Sequence, residues 1–152
     1  MFLTPEDFGQ VIYRYQVDQI TEGDEALVLE ALAAGEEEAR SYLEQNTNRH
    51  DSMDGRLIYD VEAIFNASGE ARNPLLKTHC LTLAKWHLVQ LCNADIILET
   101  ATERYDRAIA WLTKVSNGTI TVKSLPTLTP TTEQNNSRKP FSYGSRKKFR
   151  HE

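Results

Sequence analysis

The chain has 152 residues, 40% hydrophobic and 26% charged, which is enough for one domain with a real core and too short for two ordinary ones. No apolar run approaches the roughly 18 to 20 residues of a membrane span, so a soluble protein without membrane contact is expected. The net charge of −5 is uneven: from Pro126 onward there are six basic and two acidic residues, which leaves −9 on the rest of the chain.

The opening Met1-Phe2-Leu3-Thr4-Pro5-Glu6-Asp7 has no basic n-region, so a cleaved secretory signal is not expected. A first helix is predicted from Thr4, a capping residue, with Pro5 at the first helical position and Glu6 and Asp7 facing the positive end of the dipole. Phe8, Val11, Ile12 and Tyr15 form its apolar stripe. Thr21-Glu22-Gly23-Asp24 breaks the pattern and opens a long second helix. There Val28, Ala31, Leu32, Gly35, Ala39, Tyr42 and Leu43 share an arc of about 120°, with Glu30, Glu37 and Glu44 on the far side. Gly35 costs roughly 1 kcal/mol in helix propensity, which points to close approach of another backbone; the competing reading is a local weak point.

Asn46 to Gly55 is polar and turn-forming apart from Met53 and reads as an exposed loop. Asp60 is placed to cap a short helix from Val61 to Phe65, before a turn at Ser68-Gly69. Asn73-Pro74 starts another helix, and from Leu75 to Cys92 it is apolar nearly all the way round, the mark of a helix surrounded by others. Cys80 and Cys92 lie roughly 18 Å apart along it at about 1.5 Å per residue, too far to bridge, so a reducing compartment fits them. Asn93-Ala94-Asp95 is the expected turn into a last helix with the stripe Ile97, Leu98, Ala101, Tyr105, Ala108, Ile109, Leu112 and Val115. Glu103 and Arg107 are spaced for a weak pair on it, and Asn117-Gly118 is its C-cap.

The predicted fold is therefore all-α: a small bundle of about four main helices around a central hydrophobic helix, spanning residues 1–118. A short extended arm follows over 119–125, carrying Ile120, Val122 and Leu125. Residues 126–152 read as a flexible basic tail, where Pro126, Pro130 and Pro140 exclude a helix.

Neither a catalytic nor a cofactor signature is present in these residues. His79 and Cys80 are neighbours pointing different ways on a helix, and Cys80 and His87 are two turns apart, so no metal set converges. Glu36-Glu37-Glu38 diverge by about 100° per residue and read as a solvated acidic face. Lys85 is expected to run its stem along the core and place its amine at the surface. Without a Gly-rich phosphate loop, a nucleophile elbow or a C-x-x-C pair, no enzyme activity and no cofactor are expected.

The tail interleaves cations with aromatics: Arg138, Lys139, Phe141, Tyr143, Arg146, Lys147, Lys148, Phe149 and Arg150. Such a segment can meet phosphates through its charges and bases through its rings, or order against an acidic protein surface. A nucleic-acid-binding or regulatory role through this tail is one functional reading.

The other comes from resemblance. Thr4-Pro5-Glu6-Asp7-Phe8, Gln19-Ile20-Thr21-Glu22-Gly23-Asp24, Tyr59-Asp60-Val61-Glu62-Ala63-Ile64-Phe65, Ala71-Arg72-Asn73-Pro74-Leu75 and Arg104-Tyr105-Asp106-Arg107-Ala108-Ile109-Ala110-Trp111-Leu112 resemble a family of small proteins encoded near the major head protein of Mu-like phages and prophages. The likeness runs from about Leu3 to Ile120 and extends loosely into the tail. That family is similar to the helical head-to-tail connector (adaptor, or head-completion) proteins of tailed phages. The resemblance implies a structural virion protein at the head–tail junction, assembled in the host cytoplasm as a homo-oligomeric ring. Its implied partners are other copies of itself, the portal protein and tail or head-completion proteins, with DNA in the lumen as a further one.

Overall fold

In the computed structural model, which describes residues 1–47, 57–92 and 98–128, the first predicted helix is divided in two. Pro5–Gln10 is a 3-10 segment, and α1 (Arg14–Thr21) starts anew after Tyr13, whose extended backbone interrupts the ladder. Tyr15 consequently leaves the expected apolar stripe: it is exposed and stacks on Tyr13, with ring centroids 5.8 Å apart. The break leaves the Val11 carbonyl outside any helical turn, and Lys85 Nζ donates to it at 3.0 Å. The half-buried Lys85 thus places its amine on a backbone carbonyl, and burial, with Arg104 nearby, lowers its pKa.

Glu22 and Gly23, both at positive φ, turn the chain into α2 (Glu25–Thr47), where Asp24 accepts from the Ala26 N–H. The expected stripe is the buried face: Ala31, Leu32, Ala39 and Leu43 are fully enclosed, while Glu30, Glu37 and Glu44 are exposed. This helix runs through Asn46 and Thr47, the first two residues of the expected loop; the rest of that loop lies outside the described residues.

Asp60 caps α3 (Val61–Phe65) by accepting from Ala63 N–H, and a 3-10 turn at Gly69–Ala71 leads to Asn73. Asn73 accepts from Leu76 N–H at the head of α4 (Pro74–Leu91), with Pro74 as its first helical residue. Cys80, Leu81, Leu83, Ala84 and Leu88 are buried against α2 on one side and α5 (Leu98–Ser116) on the other, which makes α4 the centre of the core. Leu75 and Leu91, near its two ends, are about half exposed. Burial pushes the Cys80 thiol well above its usual pKa, so it packs as a small apolar group.

Where α2 crosses α4, Gly35 faces Ala84 so closely that a Cβ built on Gly35 would lie 2.5 Å from the Ala84 nitrogen and 2.8 Å from its Cα. The backbones themselves are in contact there, which is why the glycine stands in the apolar arc. The predicted turn at Asn93–Asp95 lies outside the described residues. Gly118, at φ 75°, ends α5, with Gly118 N–H donating to Val115 O and Ile120 N–H to Lys114 O.

After α5 the chain folds back on its own core. Leu125 is buried, Ile120 and Val122 are half-buried, and the Tyr59 hydroxyl accepts from Val122 N–H at 2.9 Å. Beyond the expected arm, Thr127 forms an isolated antiparallel bridge with Tyr59. Asp60 N–H donates to Pro126 O and Leu128 N–H to Ile58 O, so the first residues of the expected tail are held against the body. The described residues are mostly helical and contain no β-sheet, in agreement with the all-α expectation.

Candidate functional site

The arm residues are brought into the same chain's core, and the basic aromatic positions Arg138, Lys139, Phe141, Tyr143, Arg146, Lys147, Lys148, Phe149 and Arg150 lie outside the described residues. Three polar clusters, whose long-range partners local sequence does not reveal, and a cleft near the start of the chain stand out on the described surface and its margins.

Asp7 is the hub of the first cluster. Its carboxylate accepts from the Thr4 N–H at 3.0 Å and the Thr4 hydroxyl at 3.1 Å, from both terminal nitrogens of the Arg72 guanidinium, and from Lys77 Nζ at 3.2 Å. The bond from the Thr4 backbone N–H to the side chain of the helix's third residue is the reciprocal half of a capping box, and the Thr4 hydroxyl adds a second donor to the same carboxylate. Burial alone would raise the Asp7 pKa, but the hydrogen bonds from Arg72, Thr4 and Lys77 outweigh it and hold the carboxyl well below the usual range. Arg72 also donates to Phe2 O, so one ion network ties the residues before the Pro5–Gln10 segment to the head of α4.

The acidic triplet on α2 divides its work. Glu36 accepts from the Phe2 N–H at 2.8 Å and the Leu3 N–H at 3.3 Å. Glu38 accepts from the Tyr105 hydroxyl at 2.6 Å through one oxygen and meets His87 Nε2 at 2.8 Å through the other. Glu37 alone follows the expectation of a solvated face. Burial, and then the Glu38 carboxylate that its hydroxyl serves, push the Tyr105 pKa far up. Trp86 stacks on Tyr105 at 4.4 Å, and His79 stacks on Trp111 at 4.3 Å, so α4 and α5 meet through two aromatic pairs. Burial lowers the His79 pKa, which favours the neutral ring in that stack. Glu38 sits seven residues after Ala31, about 20° from it around the helix, and that spacing is the signal from which a boundary position could have been read in place of a solvated one.

Chemically these clusters can orient and tie helices. Among the described residues no group of three or more His, Cys, Asp or Glu is placed to hold a metal ion. No described helix is long and apolar enough to cross a membrane.

The cleft opens where the 3-10 segment, α1 and the start of α2 converge, with about 340 Å³ of room. Phe8, Val17 and Val28 form its buried floor, and Glu6, Asp18 and Glu25 stand exposed around it.

With α4, α5 and their polar ties in place, comparison with known proteins is informative over just this part of the chain. Residues 70–139 match the family model described as Bacteriophage Mu, Gp36. This segment is similar to a Mu-like phage family. The Mu Gp36-like segment starts in the turn before α4 and takes in α4, α5 and the residues that fold back onto the core. It therefore contains the apolar central helix and both aromatic pairs between α4 and α5. No curated protein and no solved structure matches the chain.

Proposed function

We propose that the chain is a structural virion protein of the head-to-tail connector, several copies of which close into a ring between the portal and the tail. The observation that carries this reading is the Mu Gp36 family match over residues 70–139, which falls on the helices at the centre of the core. A subunit of such a ring needs a body that keeps its shape. The close α2–α4 crossing at Gly35 and the ties made by Asp7, Glu36 and Glu38 supply one.

A head-to-tail interface generates such a ring when its rotation closes. In this account the partners are other copies, the portal protein and tail or head-completion proteins, with DNA passing through the lumen. The place of action is the head–tail junction, after assembly in the host cytoplasm. Negative-stain microscopy of the full chain mixed with its portal protein tests this. Rings of the chain seated on the portal are expected, and a chain that stays monomeric and never joins the portal overturns the proposal.

A further inference from the structure

We propose that the cleft between the 3-10 segment, α1 and α2 is the seat of this chain's own Arg138–Arg150 segment, with an aromatic ring on its apolar floor and the cations against its carboxylates. The inference goes beyond the connector reading and does not depend on it. It starts from a mismatch on the surface: buried Phe8, Val17 and Val28 open into the cleft, and beside them Leu29 is 46% exposed. Tyr13 and Tyr15, stacked on each other and 69% and 65% exposed, flank Arg14 on the same α1 end. These exposed apolar groups, rimmed by polar ones, are surface that an apolar side chain with charged neighbours would cover.

Charge selects the occupant. Glu6, Asp18 and Glu25 line the cleft against a single lining cation, Arg14, and Glu22 and Asp24 add further negative charge in the adjoining turn. From Arg138 to Arg150 the chain carries six cations, no acidic residue and three aromatics, which is the complement in both charge and apolar character. The cleft's volume, about 340 Å³, is at the small end of ligand sites and suits individual side chains rather than a folded partner.

Reach allows the segment to come from the same copy. Pro126 is bonded to Asp60, and α3 is pinned to α2 through the Glu62–Arg40 pair at 2.8 Å. From Arg40 back to Leu29 is about 17 Å along α2. The thirteen residues from Leu128 to Phe141 can span up to about 43 Å when extended. Docking within one copy also benefits from a high effective concentration.

Photo-crosslinking in the full chain tests the assignment, with a photoreactive phenylalanine analogue at position 141 or 149 and a mixture of isotopically light and heavy copies. Crosslinks to residues 5–29 within one copy are expected. Their yield should fall at least about threefold in roughly 0.5 M salt, where charges are screened within about 4 Å. The same fall is expected in the E6Q/D18N/E25Q variant, whose changes are all at exposed positions and should leave the helical circular-dichroism spectrum intact. Crosslinks that land elsewhere, that join light copies to heavy ones, or that keep their yield in salt overturn the proposal.

Discussion

Replacing Gly35 by alanine is expected to destabilise the protein by about 2 kcal/mol, although alanine is the better helix former. At an exposed helix position the change would stabilise by roughly 1 kcal/mol. Here the added Cβ would meet the Ala84 nitrogen at 2.5 Å, its Cα at 2.8 Å and its Cβ at 2.9 Å, and backbone atoms cannot swing aside as a flexible side chain can. Relief requires α2 and α4 to part, at an overpacking cost of about 1 to 3 kcal/mol or more, which outweighs the gain in propensity. The sign of the effect decides between the two readings of this glycine. Urea unfolding of the two proteins measures it: a lower midpoint at unchanged slope supports the backbone contact, and a higher midpoint makes Gly35 a mere local weak point.

A larger loss, about 3 to 5 kcal/mol, is expected for Asp7→Ala. The side chains of Asp7, Arg72 and Lys77 are 9%, 12% and 16% exposed, so removing the carboxylate strands two cations in a largely dry site. It also removes the acceptor for Thr4. The same network gives an acid dependence. Because the folded pKa of Asp7 lies below its ordinary 3.8, the stabilisation is fully present above that value and is lost as pH falls from there toward the folded value. Unfolding of the native chain and of Asp7→Ala, compared at neutral pH and at about pH 3, should show the gap between them narrowing in acid. A gap that is small at neutral pH, or that widens in acid, contradicts the assignment.

Much of this fold is legible in local sequence because caps and apolar spacing are local facts. Asp60 and Asn73 take the capping roles their positions announce, and the arc from Val28 to Leu43 is the buried face of α2. Gly35 could be picked out because it stands inside that arc, but its contact, Ala84, belongs to another helix. The division of the first helix was not legible. Phe8, Val11, Ile12 and Tyr15 are helically spaced, yet the chain breaks at Tyr13, and the compensating donor, Lys85, lies 74 residues from Val11.

The same limit governs the polar sites. Glu36 and Glu38 looked like parts of a solvated run because their partners, Phe2, His87 and Tyr105, are 34, 49 and 67 residues away in sequence. The cleft depends on how the 3-10 segment, α1 and α2 converge, which no single stretch of sequence encodes. Ile120, Val122 and Leu125 were visible as an apolar group, but not the destination that tertiary packing gave them on the chain's own core. The cation and aromatic pattern from Arg138 to Arg150 is legible from sequence alone, and the acidic cleft supplies a complementary surface for it.

The proposed place of this chain in the virion, at the head–tail junction, can be checked by quantitative mass spectrometry of purified particles of a phage that encodes it, alongside tailless heads of the same phage. The account predicts the chain in particles, in a fixed ratio to the portal protein and at ring-sized copy number. Complete particles that lack the chain, although it is expressed in the infected cell, would contradict it.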